Sequence, residues 1–286
     1  MNPDPELAAA ITANVAAALA EDIGCGDLTA QLIAPSACTQ ATVITREAAV
    51  LCGQPWFDAC FRALDPDVKI DWQVAEGASV SAGQTLCRLS GQTRALLTAE
   101  RAALNFLQTL SATATVTRRY VTAVAGTQAR ILDTRKTLPG LRLAQKYAVR
   151  IGGGCNQRIG LFDGILIKEN HIAAAGGIQP ALTRAQERLP AGASLQIEVE
   201  TLDELSEALT AGARLILLDN FDLPTLRAAV ALTAGRAELE ASGGVDWTTL
   251  RAIAETGVDR ISIGGLTKNI SAIDLSLRLA ARREEK

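Results

Sequence analysis

Residues 133–172 read DTRKTLPGLRLAQKYAVRIGGGCNQRIGLFDGILIKENHI, and their pattern decides the fold. The stretch opens on the end of a short strand, ARILDT, and closes just past another, GILIK. Between them come a Pro-Gly turn, an amphipathic run from Leu141 to Ile151 and a triple glycine at Gly152 to Gly154. Arg135, Lys136, Arg158 and Lys168 crowd into the loops and strand ends of the same stretch. A buried strand should end in apolar residues, and cations there need partners. The simplest partner for several of them is a multiply charged anion.

Toward the C-terminus the same alternation continues. SLQIEVE, RLILLD, RAELEA and DRISIG read as strands, each followed by a helical pattern, which makes six β-α units in all. Alternation of this kind predicts a parallel sheet, and a barrel or near-barrel is favoured over an open sheet. Toward the N-terminus the organisation differs. Leu7, Ile11, Val15 and Leu19 give residues 5–20 one helical face, and residues 54–64 also read as helix. ATVITREAAVLCG and VKIDWQVA read as strands, and a long helical pattern runs through TAERAALNFLQTLSATATVTRRYVTAV. The expected domains are therefore 1–115 and 116–270, with a final helix over 271–286 packing back on the first.

Composition narrows the function classes. Apolar residues make up 48% of the 286, enough for a sizeable core without staples. The formal net charge of -3 argues against nucleic acid as the main partner and makes the cation cluster a local feature. The six cysteines are scattered, with no CxxC pair and no zinc spacing. They read as free thiols of a reducing compartment and as small core residues. The start MNPDPEL has no basic segment of a signal peptide, and LAAAITANVAAALA is too short to span a bilayer. The expectation is a cytoplasmic protein with no membrane partner.

Side chains alternate along a strand, so i and i+2 share a face. Gln196, Glu198 and Glu200 share one; so do Leu215, Leu217 and Asp219; Glu238, Glu240 and Ser242; Leu166 and Lys168; Ile131, Asp133 and Arg135. Their polar members lie at or toward the C-terminal ends, where β/α barrels carry their active sites. The competing structural reading is a buried ion network that fixes the barrel. The cations suit phosphates or carboxylates. Glu198 and Asp219 suit Mg²⁺ held through water, sugar hydroxyls or a developing cation. The turns EASGGV and SIGGL follow the last two strands and offer backbone N–H groups for phosphate. His171, the only histidine, reads as a packing or supporting residue.

Taken together, these motifs resemble quinolinate phosphoribosyltransferase, also called carboxylating nicotinate-nucleotide pyrophosphorylase. The similarity covers DTRKTLPGLRLAQKYAVRIGGG, GLFDGILIKENHI, EDIGCGDLT, ERAALNFLQTLSATAT, IEVETLDEL, LILLDN, EASGGV and ETGVDRISIGGLTK, in order. The resemblance implies an N-terminal α/β sandwich domain and an open-faced, seven-stranded α/β barrel, one strand more than the pattern shows. It also implies an enzyme that transfers phosphoribosyl from phosphoribosyl pyrophosphate to the ring nitrogen of quinolinate, with loss of pyrophosphate and CO₂. The product is nicotinate mononucleotide, on the de novo route to NAD. Mg²⁺ is the implied cofactor.

By the same resemblance, Arg101, Thr134, Arg135, Lys136, Gln157, Arg158 and Lys168 bind substrate, with Arg101 reaching in from the neighbouring subunit of a homodimer. Lys136, Lys168, Glu198 and Asp219 carry catalysis, and the acidic pair lies near the ribose and Mg²⁺. Ser242, Gly243 and Gly244 form one phosphate loop; Ile263, Gly264 and Gly265 form the other, and Lys268 keeps a cation near the phosphate site. The chain departs from the family twice. Gln157 stands in Asn156-Gln157-Arg158 where the family often has His, and Lys268 stands in Leu266-Thr267-Lys268 where it often has His. Two other readings share the motifs: a ModD-type paralogue with another acceptor, and a non-catalytic nucleotide sensor.

Overall fold

The computed structural model describes residues 4–280. The strands in chain order are β1 (Cys38–Thr45), β2 (Ala49–Val50), β3 (Lys69–Trp72), β4 (Ser79–Val80), β5 (Thr85–Gln92), β6 (Arg130–Leu132), β7 (Gly164–Ile167), β8 (Ser194–Val199), β9 (Leu215–Asp219), β10 (Glu238–Ser242), β11 (Arg260–Ser262) and β12 (Leu275–Leu279). The α-helices are α1 (Pro5–Ile23), α2 (Gln54–Leu64), α3 (Thr93–Ala123), α4 (Arg142–Ile151), α5 (Glu169–Ala175), α6 (Ile178–Arg188), α7 (Leu202–Thr210), α8 (Leu223–Thr233), α9 (Leu250–Ala254) and α10 (Gly265–Lys268). The chain divides into two units, each drawn from separate stretches of sequence. The first takes the chain up to Val116, Leu138–Gly152 and the segment from Asn269 on; the second takes Thr117–Thr137 and Gly153–Lys268.

The first unit carries a four-stranded antiparallel sheet, ordered β12-β1-β5-β3. Its core is aromatic where α2 meets it. Trp56, Phe57, Cys60 and Phe61 are buried at helical spacing, and Phe57 meets Trp72 of β3 edge-on at 5.1 Å. Each such ring buried contributes about 1.5–3 kcal/mol. On α1, Ile11, Val15 and Leu19 are the buried stripe, and the Asp4 side chain accepts the Glu6 N–H at the helix start. The expected C-terminal helix is a correction: Leu275–Leu279 is a strand, paired antiparallel with β1 from Thr45↔Leu275 to Ala41↔Leu279. Residues 281–286 of that expected helix lie outside the described residues. The cysteines are also only partly as expected. Cys52, Cys60 and Cys87 are buried, whereas Cys25 and Cys38 are exposed. Burial pushes the Cys60 thiol up to about 12, which makes it inert.

The second unit is an open-faced α/β barrel: a six-stranded parallel sheet ordered β6-β11-β10-β9-β8-β7. A single residue extends it beyond β6, where Cys155 bridges Leu132 in parallel. The central strands β9 and β10 are buried on both faces, as a sheet covered by helices requires. Two of the turns into helices are capped by side chains. Thr201 accepts the Glu204 N–H at 3.2 Å before α7, and Asp222 accepts the Thr225 N–H at 2.9 Å before α8. Among the described residues, no helix is long and apolar enough to cross a membrane.

Candidate active site

Strand register gathers the site. Ile167 pairs with Ile197, so Lys168 and Glu198, one residue further on, emerge side by side. Asp219 pairs with Ser242, and Ser262 pairs with Leu132, so the ends of β9, β10, β11 and β6 stand level. A cleft of about 570 Å³ opens over these C-terminal ends, lined by Thr134, Arg135, Lys136, Gln157, Arg158, Lys168, Glu198, Asp219, Ser242 and Gly243 among others. Ten of the sequence-derived site residues thus meet in one place. Arg158, Lys168, Arg135 and Lys136 bring positive charge; Glu198 and Asp219 bring negative charge to the same space.

Each side chain has a local reason for its position. The Lys168 ammonium lies 2.5 Å from a Glu198 carboxylate oxygen, and the Lys168 N–H donates to His171 Nδ1 at 3.1 Å. His171 therefore closes the turn into α5, the supporting role expected of it. Arg158 donates to the Gly164 carbonyl at 3.0 Å, while Asp163 accepts the N–H groups of Ile159 and Gly160, both at 2.7 Å. Burial, then the nearby Arg135 guanidinium, lower the Arg158 pKa; an arginine so placed stays charged and gains from an added anion. Two like charges brought together in this way prefer a multiply charged ligand between them.

The glycine turns behave as close-approach points. Gly243 has φ +87°, and a Cβ there would collide with the Asn220 side chain. At Gly264 a Cβ would come within 2.8 Å of Lys136 Cδ, so the absence of a side chain lets Lys136 lie across the loop. The Thr267 hydroxyl donates to the Lys136 carbonyl at 2.8 Å and fixes the same loop from below. Ile263, Gly264, Gly265 and Lys268 follow β11 but are not among the residues lining the main cleft. Lys268 ends α10 and is exposed. Gly244 lies in an adjoining groove of about 340 Å³ with Gly243 and Asn220. Arg101 lies on the first unit, exposed, in a groove of about 370 Å³ with Glu21, Asp22 and Asn105.

Beneath the cleft is a buried polar group that the sequence pattern showed only as parity. Glu240 is fully buried and accepts hydrogen bonds from Gln196 Nε2 at 3.0 Å and from Gln157 Nε2. Asp133, also fully buried, accepts from Asn156 Nδ2 at 2.5 Å and from the Gln157 N–H at 2.9 Å. Part of the strand-end polarity is therefore structural, as the competing reading required. Burial raises the Glu240 pKa above 4.5, with its hydrogen bonds opposing. Glu238 departs from the expected placement: it sits at the N-terminal end of β10 and pairs with Arg130 at 3.0 Å and with Arg260.

Fold and cleft together define a class: an α/β-barrel enzyme scaffold whose strand ends present cations, two acids and glycine turns to polyanionic substrates. The family description "Quinolinate phosphoribosyl transferase, C-terminal domain" matches residues 113–278, and the corresponding N-terminal domain matches 27–111. The chain belongs to the quinolinate phosphoribosyltransferase family. It is 41% identical over 272 residues to a nicotinate-nucleotide pyrophosphorylase (carboxylating) of Mycobacterium leprae, covering 92% of this chain and 94% of that one. It is 39% identical over 284 residues to quinolinate phosphoribosyltransferase (decarboxylating) 1 of Nicotiana glauca, covering 92% and 80%. A solved nicotinate-nucleotide pyrophosphorylase from Francisella tularensis superposes with a TM-score of 0.93 at 48% identity, covering 98% of both chains.

Proposed function

We propose that the chain transfers the phosphoribosyl group of phosphoribosyl pyrophosphate to quinolinate and releases nicotinate mononucleotide, pyrophosphate and CO₂. The observation that carries this reading is the meeting of four cations with Glu198 and Asp219 in one cleft. Quinolinate brings two carboxylates, and the donor brings a monophosphate and a pyrophosphate. The ring nitrogen is itself the nucleophile, so the protein need supply none. Its work is to hold two polyanions in line and to stabilise positive charge as the ribosyl–pyrophosphate bond breaks. Glu198 and Asp219 face that charge, while Arg135, Lys136, Arg158 and Lys168 take the anions. A nucleotide sensor would gain affinity by losing both acids, and the chain keeps them.

Mg²⁺ fits this donor set in one form. Among the described residues no group of three or more His, Cys, Asp or Glu side chains is placed to hold a metal. Two carboxylates at the rim suit an ion that arrives with the donor's phosphates and keeps most of its waters. Glu198 and Asp219 would hold it through water, and it would supply charge neutralisation on the leaving pyrophosphate. Ser242, Gly243 and Gly244, with Ile263, Gly264, Gly265 and Lys268, are the proposed phosphate contacts. Gln157, engaged by Glu240, offers a neutral hydrogen-bonding contact where the family often has His.

A homodimer belongs to the same reading, because the family resemblance has Arg101, exposed on the first unit, reach the cleft of a neighbouring subunit. We place the enzyme in the cytoplasm, where both charged substrates are retained. The test is direct. Purified protein is mixed with quinolinate, phosphoribosyl pyrophosphate and Mg²⁺, and nicotinate mononucleotide and CO₂ are followed. Formation of both supports the reading. Equal turnover with nicotinic acid as acceptor would remove the role of the second carboxylate, and no product would refute the assignment.

A further inference from the structure

Asn220 has no task in the reading above, yet it touches both the acid and the loop that the reading uses. It follows Asp219 at the end of β9 with φ +57°, a left-handed conformation shared, among the described non-glycine residues, only with Ala234. Asparagine tolerates that region better than other side-chain-bearing residues, and strained backbone concentrates at functional sites. The Asn220 N–H donates to the Ser242 carbonyl at 2.9 Å, which ties the end of β9 to the end of β10. Its Nδ2 donates to Asp219 Oδ2 at 2.8 Å. Its side chain also lies so close over Gly243 that no Cβ fits there.

A left-handed turn at a strand end explains the backbone alone, and glycine would serve it as well. It does not explain why the amide is spent on Asp219, nor why the same side chain fills the space above Gly243. Those are two contacts with two different parts of the site. We propose that Asn220 is a positioning residue: its amide orients the Asp219 carboxylate while its packing on Gly243 sets the Ser242–Gly244 loop. The inference rests on the reading of that loop as a phosphate site and of Asp219 as the acid near the ribose. Both ends of one donor molecule would then be held by elements locked to each other through a single side chain. Such coupling fixes the distance between phosphate and ribose before the donor arrives, which is how a site avoids ordering costs at binding.

Asn220→Gly separates the two explanations, since glycine keeps the left-handed backbone and removes the side chain. The full chain is compared with Asn220→Gly, Gly243→Ala and the double variant. Melting temperature, kcat and KM for phosphoribosyl pyrophosphate are measured, and donor binding without acceptor is followed by calorimetry. The expected result is a normally folded Asn220→Gly protein whose kcat/KM for the donor falls about tenfold, with weaker donor binding. Gly243→Ala should cost roughly threefold less in the Asn220→Gly background than in the wild type, because the collision is gone. Wild-type donor affinity and kcat/KM in Asn220→Gly, or effects of the two changes that simply multiply, would overturn the proposal. If Gly243→Ala fails to fold, the Asn220→Gly comparison decides alone. A wild-type protein that binds donor but forms no product refutes the activity while calorimetry still judges Asn220; a wild type that binds no donor sinks both.

Discussion

The Lys168 ammonium stands 2.5 Å from Glu198, and the two side chains differ in exposure: 46% for the lysine and 10% for the glutamate. The half-exposed partner contributes little to folding, since exposed pairs are worth about 0–1 kcal/mol. Its value lies in the cleft, where it offers a cation to substrate and restrains an acid. Lys168→Ala should therefore cost no more than about 1 kcal/mol of stability, while kcat/KM falls on the order of a hundredfold, the scale for removing one group that stabilises charge at the reacting centre. Steady-state kinetics beside a thermal melt checks this; wild-type kinetics would take Lys168 out of the site.

Glu240 makes a prediction about pH and stability. Burial holds its pKa above 4.5 in the folded protein, so the folded state binds more protons than the unfolded one once pH exceeds that value. Stability linked to this group is then greatest at low pH and is lost as pH rises from about 4.5 through the folded pKa. Glu240→Gln removes the titration. The wild type should lose stability relative to Glu240→Gln as pH is raised across that window in parallel denaturant titrations. A difference that stays flat with pH would mean the carboxyl is not perturbed.

Much of this was legible in the sequence, and the exceptions have physical causes. The alternation of GILIK, SLQIEVE, RLILLD, RAELEA and DRISIG with helical runs points to the parallel sheet, because a helical crossover between successive strands sets them parallel. Parity placed Lys168, Glu198 and Asp219 on one rim, and register then brought them together. The C-terminal segment reads locally as helix, yet Leu275, Leu277 and Leu279 alternate along a strand. Its partner β1 lies more than two hundred residues upstream, and a short edge strand draws its stability from that pairing rather than from local propensity. Glu240 was visible only as a position on a face. Whether a strand carboxylate ends in solvent or in a buried network depends on Gln157 and Gln196, which no local pattern connects to it.

Gly264 tests how far a loop can be perturbed without unfolding. No left-handed conformation is needed there, and the atom an added methyl would meet is Lys136 Cδ at 2.8 Å, part of a flexible side chain. Gly264→Ala should cost less than about 1 kcal/mol of stability, because the lysine can move aside. The displaced lysine should then raise KM for phosphoribosyl pyrophosphate while the fold persists. Unchanged KM would show that the position of Lys136 across the loop is incidental.

Arg101 supplies the sharpest check on the proposed homodimer. If each cleft takes Arg101 from its neighbour, Arg101→Ala and Lys136→Ala should each be nearly inactive when pure. In a hybrid dimer one cleft has Lys136 from its own chain and Arg101 from the other, while the second cleft lacks both. Random exchange makes half of the dimers hybrids, so an equimolar mixture of the two variants should recover about a quarter of wild-type activity. Each variant keeps the buried core of its unit, because Arg101 is exposed and Lys136 lines the cleft, so loss of folding is not expected to mimic the result. Mixing under conditions that allow subunit exchange, followed by an activity assay, reads the outcome directly. A mixture no more active than its components, with exchange demonstrated by labelled chains, would confine Arg101 to a role within its own subunit.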